Sequence, residues 1–136
     1  MMSDKLKTKA IAAMEHSYSP YSTKQVGAAI RLTNGKEYTG CNIENSSYGA
    51  TVCAERVAVW KAVSENGGDM QIEEVVVATD ASPPWSPCGM CRQVINEFAL
   101  KNCAIHLVNR VGEVKNYTHI ELLPQGFDRE ALKPKA

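Results

Sequence analysis

Three cysteines, a glutamate and an arginine in this sequence have the types and spacing of a metal site. Cys53, Glu55 and Arg56 stand within four consecutive positions of TVCAERVAVW, and Cys88 and Cys91 form a CxxC pair in PCGMC. Cysteine thiolates are preferred zinc ligands, and CxxC is a common zinc-binding spacing. A catalytic zinc site has three protein ligands and one open position, whereas a structural site has four. The three cysteines therefore favour a catalytic zinc site.

The residues beside Cys53 could supply the remaining chemistry. A carboxylate such as Glu55 next to a zinc-bound water can serve as a general acid and base. Three thiolates around Zn²⁺ carry a net negative charge, which a hydrogen bond from a cation such as Arg56 would reduce. Each residue also has an ordinary alternative. Glu55 could be a first-turn glutamate that interacts favourably with the helix dipole, and Arg56 could be a solvated helix arginine.

Two other interpretations of the cysteines stay open. A structural zinc module needs a fourth ligand, but the three histidines lie in unrelated predicted elements. A redox protein would form a reversible Cys88–Cys91 disulfide and bind no stoichiometric zinc. Cys41 and Cys103 have no partner at ligand spacing, and we interpret them as small buried hydrophobic residues.

The hydrophobic pattern predicts the elements that must position these residues. Helices are predicted over 4–17, 53–64, 89–99 and 119–124, and strands over 25–33, 36–44, 72–80, 103–109 and 111–118. An Asn34-Gly35 pair predicts a hairpin between the first two strands, and three prolines make 81–87 a loop. We expect the inward faces of the second and third helices to consist of Ala54, Val57, Ala58 and Ala62, and of Cys91, Val94, Ile95 and Phe98. This order predicts one α/β domain over residues 1–136, with helices on both faces of a mixed sheet.

Composition limits the possible functions. The chain has 136 residues, 44% of them hydrophobic, so one domain with a substantial core is expected. Its 15 basic and 15 acidic residues cancel, which argues against electrostatic binding of nucleic acid or a membrane. No apolar run approaches the roughly 20 residues that span a bilayer, and MMSDKLKTKA lacks the apolar region of a signal peptide. We therefore expect a cytoplasmic protein whose five cysteines are not a disulfide framework.

TVCAE and SPCGMC resemble the zinc-dependent nucleoside deaminases, in their homotetrameric three-cysteine cytidine deaminase branch. The resemblance runs nearly end to end, because SPYS, VGAAI, GCNIENSSYG and ELLPQGF also occur in order at compatible spacing. It implies a three-layer α/β/α fold with a mixed five-stranded sheet. It also implies one Zn²⁺ per chain on Cys53, Cys88 and Cys91, and hydrolytic deamination of cytidine and deoxycytidine to uridine and deoxyuridine. Glu55 would carry the proton, and no organic cofactor would be needed.

The resemblance also implies the substrate contacts. Asn42 and Glu44 would hold the ribose hydroxyls, Ala54 would offer backbone contacts to the base, and the Ser86 carbonyl would lie near the departing amine. The partner would then be a small-molecule nucleoside. A nucleic-acid-editing deaminase would require a basic groove and aromatic platforms, which the neutral charge argues against.

Two aromatic residues are implied to act between subunits. Tyr48 resembles the tyrosine that reaches the sugar of a neighbouring subunit's ligand, and Phe127 resembles the aromatic that a neighbour places against the pyrimidine ring. A single chain would leave the site incomplete, so the resemblance implies a homotetramer with shared active sites.

One position departs from the family pattern. The family commonly has phenylalanine before the VGAA strand as a wall of the base site, whereas STKQVGAA places Lys24 there. Either Trp85 rebuilds that wall, or the site is wider and accepts modified cytosines. Blasticidin S deaminases also lack this phenylalanine, although we would not expect the full NIEN motif from them.

Overall fold

Four α-helices and five strands follow one another in residues 2–134, the part of the chain that the computed structural model describes. The elements are α1 (Asp4–Ala13), β1 (Val26–Leu32), β2 (Glu37–Cys41), α2 (Ala54–Asn66), β3 (Ile72–Thr79), α3 (Gly89–Phe98), β4 (Ala99–Val108), β5 (Val114–Thr118) and α4 (His119–Leu122). The predicted order of elements is confirmed. No helix in this part of the chain is both long enough and apolar enough to cross a membrane.

The five strands form one sheet in the order β2-β1-β3-β4-β5. Only the central β3 and β4 are parallel, and the other neighbouring strands are antiparallel. A parallel pair requires a crossover connection, and α3 with its preceding loop provides it. The predicted mixed five-stranded sheet is therefore confirmed. The crossover also places the loop of residues 80–88 at the carboxyl end of β3.

Side chains of the central strands alternate between two core layers because successive residues point to opposite faces of a sheet. One layer lies under α1 and consists of Leu6, Ala10, Met14, Ala29, Val76, Ala78 and Val108. The other lies under α2 and α3 and includes Ala28, Ile30, Val59, Val75, Val77, Ile95, Ile105 and Leu107. Helices therefore cover both faces, as a three-layer α/β/α fold requires.

Several predicted details differ from the structure. The inward face of α2 contains Val59 instead of Val57, which is only half-buried, and it also buries the charged Glu55 and Arg56. In α3 the predicted inward face is confirmed, because Cys91 and Ile95 are buried and the half-buried Val94 and Phe98 pack against the core. Strand β2 ends at Cys41, and β4 begins at Ala99, four residues before the predicted start. A pattern that places only apolar residues inward misses a helix whose charged residues belong to a buried site.

Two strand glycines allow the helices to pack closely against the sheet. A Cβ atom on Gly27 would lie 2.0 Å from the Ala10 carbonyl oxygen of α1. A Cβ atom on Gly40 would lie 2.4 Å from the Ala54 carbonyl oxygen at the start of α2. Gly40 therefore lets the first turn of α2 approach the sheet.

Candidate active site

The thiols of Cys53, Cys88 and Cys91 converge at the amino ends of two helices. Cys53 is the N-cap residue of α2, Cys88 is the N-cap residue of α3, and Cys91 lies in the first turn of α3. The three sulfur atoms lie within 4.8 Å of one another, and Cys53 Sγ is 3.8 Å from Cys88 Sγ. Two sulfurs bound to tetrahedral zinc at about 2.3 Å would be about 3.8 Å apart. The thiol cluster therefore has the dimensions of a zinc site.

The cluster offers three side chains that could hold a metal ion. Among residues 2–134, no fourth histidine, cysteine, aspartate or glutamate joins the group. Cys41 is half-buried on edge strand β2, and Cys103 is buried in the core. Burial raises the pKa of the Cys103 thiol to about 12, which keeps it protonated. A three-ligand set leaves a fourth coordination position for water or substrate, the arrangement of catalytic zinc sites.

Hydrogen bonds make one thiol of the cluster acidic. A hydrogen bond from the Cys91 thiol and another from Arg56 lower the pKa of Cys53 to about 5, although burial opposes the shift. Arg56 Nη2 donates to Cys53 Sγ at 3.2 Å. The pKa of Cys91 is raised because its thiol donates to Cys53 and is buried. Cys53 is therefore ready to bind a metal as a thiolate, with Arg56 beside it as the neutralising cation.

Glu55 lies in the first turn of α2 and is only 4% exposed. Burial raises the pKa of its carboxyl to about 7, because the charged form loses its hydration. A carboxyl group with such a pKa can both accept and release a proton near neutral pH. Glu55 is therefore equipped for general acid–base chemistry beside the three thiols.

A cavity of about 370 Å³ adjoins Cys53 and Cys88 of the cluster, and its volume is within the usual range for small-molecule sites. Its lining brings together most of the predicted site residues, namely Lys24, Asn42, Glu44, Cys53, Ala54, Glu55, Trp85, Ser86 and Cys88. The cavity therefore joins residues from the first strand, the loop after β2, α2 and the crossover loop.

Asn42 and Glu44 are held in place by the first residue of β1 and by the segment before it. Asn42 Oδ1 accepts from the backbone N–H of Val26 at 2.9 Å, and Asn42 Nδ2 donates to the Lys24 carbonyl at 2.8 Å. Glu44 Oε1 accepts from the backbone N–H groups of Tyr21 and Ser22, each at 3.0 Å. These bonds, with one from the Ser22 hydroxyl to Glu44 Oε2, lower the pKa of Glu44. Both side chains thus enter the cavity in fixed positions.

The sequence model of the cytidine and deoxycytidylate deaminase zinc-binding region matches residues 2–107. The chain belongs to the cytidine and deoxycytidylate deaminase family. A cytidine deaminase of Sporosarcina psychrophila is 44% identical over 129 residues, which cover 95% of this chain and 93% of that protein. A cytidine deaminase of Mycobacterium tuberculosis is 40% identical over 130 residues, which cover 93% and 90% of the two chains.

Solved structures show the same likeness. The crystal structure of cytidine deaminase from Burkholderia pseudomallei has a TM-score of 0.87 and 38% identity, covering 93% of this chain and all of that one. The crystal structure of the Mycobacterium tuberculosis enzyme has a TM-score of 0.75 and 34% identity. The fold and family expected from the sequence motifs are therefore confirmed.

Two residues that were predicted to contact the substrate, Tyr48 and Phe127, do not line the cavity of their own chain. Tyr48 is 76% exposed, and its ring meets the ring of Tyr21 edge-on, with 5.9 Å between the centroids. Phe127 is 59% exposed, and its carbonyl accepts from Gln93 Nε2 at 2.6 Å. Both side chains are thus available to another molecule. They do not meet the cavity within one chain.

Sequence reasoning did not identify Arg92 as part of this deaminase site. Its guanidinium donates to the Ser86 hydroxyl at 2.8 Å, the Pro87 carbonyl at 2.7 Å and the Leu122 carbonyl at 2.9 Å. These bonds tie the loop that carries Cys88 to α3 and α4. The motif SPCGMCR places an arginine near the ligands, but the sequence does not show which acceptors it reaches.

Proposed function

We propose that this chain is a zinc-dependent hydrolase that converts cytidine and deoxycytidine to uridine and deoxyuridine. The observation that carries this proposal is the buried Glu55, which lies beside three thiols at zinc spacing and lines the 370 Å³ cavity. Relatives with 40% and 44% identity over most of the chain bear the name cytidine deaminase, which supports the choice of nucleoside.

One zinc ion per chain would be held by Cys53, Cys88 and Cys91. Its contribution is Lewis-acid activation of a water molecule near neutral pH. Arg56 would withdraw negative charge from the thiolates through its bond to Cys53, while its guanidinium also lies over the Trp60 ring at 5.8 Å from the centroid. The chain thus provides both the ligands and the balancing cation.

Glu55 would carry protons between three positions. It takes a proton from the attacking water and gives it to the ring nitrogen N3, so that the water oxygen can add to C4. It then passes a second proton to the amino nitrogen, and ammonia leaves. A pKa of about 7 suits both steps, because the group accepts and donates with little cost at neutral pH.

Other cavity residues would orient the nucleoside. Asn42 and Glu44 would bind the ribose hydroxyls. Each side chain has hydrogen-bonding capacity left after its bonds to the start of β1 and the segment before it. The Ala54 backbone would contact the base, and the Ser86 carbonyl would accept a hydrogen bond from the amine as it leaves. Correct orientation of reactants is itself a large part of catalysis.

We infer further that the enzyme works as a homotetramer with shared sites. Tyr48 and Phe127 are exposed and lie outside the cavity of their own chain, which supports their action on a neighbour's ligand. Phe127 would pack on the pyrimidine ring, and Tyr48 would reach the sugar.

The test is a comparison of Glu55→Gln with the exposed control Glu65→Gln on cytidine and deoxycytidine. The amide cannot accept a proton, so Glu55→Gln should lose about a hundredfold or more in kcat while keeping its zinc. The fall in ultraviolet absorbance measures turnover, and metal analysis measures zinc. Glu65→Gln should behave as the original protein does.

Cys88→Ala tests the metal site in the same assays. Loss of one thiolate should remove stoichiometric zinc and reduce stability, because the metal joins the starts of two helices. Full zinc in Cys88→Ala would contradict the ligand assignment. Zinc without turnover of any cytosine nucleoside by the unmodified protein would instead indicate a structural zinc module.

A further inference from the structure

Two side-chain amides of α3 hold the backbone of the segment that carries Phe127. Gln93 Nε2 donates to the Phe127 carbonyl oxygen at 2.6 Å, and Asn96 Nδ2 donates to the same oxygen at 3.3 Å. Gln93 and Asn96 are three residues apart in α3, so they lie on one face of the helix. A carbonyl oxygen has two lone pairs and can accept both donors. We call Gln93 and Asn96 the amide pair.

The chain turns sharply just before Phe127. Gln125 has a φ of 57°, in the left-handed region that residues other than glycine rarely adopt. Gly126 lies close to α3, because a Cβ atom there would be 3.2 Å from Asn96 Nδ2 and 2.8 Å from Leu123 Cδ2. The turn is locally unfavourable for Gln125, so the contacts with α3 help to keep it in this conformation.

The contacts of this segment fix the backbone of Phe127 on both sides. After Phe127, Asp128 Oδ1 accepts from the Glu130 N–H at 3.0 Å and caps the short 3₁₀ helix Arg129–Leu132. The Phe127 side chain is nevertheless 59% exposed and does not line the cavity of its own chain. Exposing an aromatic ring to water is unfavourable. A fixed backbone with an exposed ring is therefore typical of a side chain prepared for contact with another molecule.

We propose that Gln93 and Asn96 are positioning residues of the deamination site, which hold the Phe127 carbonyl so that the ring meets the base bound by a neighbouring chain. This inference rests on the proposed function, which assigns Phe127 to a neighbour's nucleoside. A ring that is already oriented loses less conformational entropy when the nucleoside binds. Helix α3 then serves two sites, since its first turn carries Cys91 of its own site and its amide pair orients a ring for another.

The amide pair should affect the binding of the nucleoside and not the chemical step. The ring would contact the base equally in the ground state and in the transition state, and loss of such a contact raises KM while kcat stays the same. Within residues 2–134, the hydrogen bonds of the two amides go to the Phe127 carbonyl and not to Glu55 or a thiol. Zinc binding and proton transfer should therefore be retained without the amide pair.

The direct experiment is Gln93→Met, which keeps the length of the side chain and removes its donor. We expect KM for cytidine to rise about fivefold or more, the equivalent of one ordinary hydrogen bond. Zinc content and subunit association should be unchanged, and kcat should stay within about twofold. Gln71→Met, the same change at an exposed position just before β3, is the matched control and should leave KM unchanged.

The same change in Phe127→Ala protein separates positioning of the ring from general support of the fold. Alanine at position 127 keeps the carbonyl and its two hydrogen bonds but has no ring to orient. Gln93→Met should then change KM by less than about twofold, because the two residues act through one contact. An equal rise in KM with and without the ring would overturn the proposal. Loss of subunit association in Gln93→Met would assign the amide to assembly and would overturn it as well.

Asn96→Ala provides a second variant if Gln93→Met does not fold. It should raise KM in the same direction but by less, because its bond to the carbonyl is longer, and this effect too should vanish in Phe127→Ala protein. If Phe127→Ala raised KM while the folded amide variants did not, the positioning role would be wrong and the proposed function would stand. A normal KM in Phe127→Ala would contradict the aromatic contact of the proposed function, and the positioning role with it.

Discussion

Arg56 and Arg92 lie near the same thiol cluster but have different tasks. Arg56 is buried and donates directly to Cys53, so it changes the charge of the ligand set. Arg92 reaches none of the thiols, and its hydrogen bonds go to the loop before Cys88 and to the end of α4. Arg92 is therefore a positioning residue, and it would act on the reaction through the loop that carries Ser86 and Cys88.

Replacing Arg92 with lysine keeps the charge but cannot reproduce three hydrogen bonds in a planar fork. The loop that carries Cys88 should loosen, and each lost bond is worth about 1 kcal/mol. We expect roughly tenfold weaker zinc retention in competition with a chelator, and a lower kcat with a nearly unchanged KM once zinc is saturating.

The control for this prediction is Arg129→Lys. Arg129 donates to the Gly68 carbonyl at 3.2 Å, away from the cavity, so its replacement should leave zinc retention unchanged. Equal zinc retention in Arg92→Lys and Arg129→Lys would show that the hydrogen bonds of Arg92 do not position Cys88.

At the scale of elements, the site depends on how closely α2 approaches the sheet. The first turn of α2 carries Glu55 and follows Cys53, and it packs over Gly40 of β2. A Cβ atom at position 40 would meet backbone atoms of Ala54 and Ala58 at 2.4 and 2.7 Å. Backbone atoms cannot rotate away as a side chain can, so α2 itself would have to move.

Gly40→Ala should therefore damage both stability and the metal site. Overpacking of this kind costs about 1–3 kcal/mol in the free energy of unfolding, and a displaced α2 would carry Cys53 away from Cys88 and Cys91. We expect a lower Tm, reduced zinc content and a fall in kcat. Thermal unfolding and metal analysis would measure these effects.

Gly68→Ala is the matched control, because a Cβ atom there would have no neighbour within 4 Å. It should retain the Tm and zinc content of the original chain. If Gly40→Ala also retained full zinc and turnover, the close approach of α2 would not be what assembles the site.

At the scale of the whole molecule, the proposed shared site predicts complementation between two inactive proteins. Glu55→Gln lacks the proton carrier, and Phe127→Ala lacks the aromatic ring that a neighbour is proposed to supply. A mixed tetramer would contain some sites with an intact Glu55 from one chain and an intact Phe127 from the other. Mixing under subunit exchange should therefore restore part of the cytidine turnover.

Subunit mixing must be shown independently, for example by native mass spectrometry of differently labelled chains. Glu55→Gln mixed with Glu55→Gln/Phe127→Ala protein is the negative control, because no site then has a proton carrier. Proven mixing without recovered activity would argue for a site contained in one chain.

The sequence by itself determined the chemistry and the order of the elements. Ligand type and spacing are local properties, so the CxxC pair and the Cys53-Glu55 stretch could be recognised without a structure. Hydrophobic periodicity is also local, and it predicted the five strands and the four α-helices in the correct order. The errors lie at the ends of α1 and β2 and at the starts of β4 and β5. The fold class and the family followed from these local patterns.

The tertiary structure decided which distant groups meet and how water is excluded from them. The parallel β3–β4 pair and the approach of α2 over Gly40 bring Cys53 to the CxxC pair. Burial raises the pKa of Glu55, and no sequence pattern encodes that burial, because it depends on elements far apart along the chain. The acceptors of Arg92 likewise meet its guanidinium only after the crossover loop and α4 pack against α3.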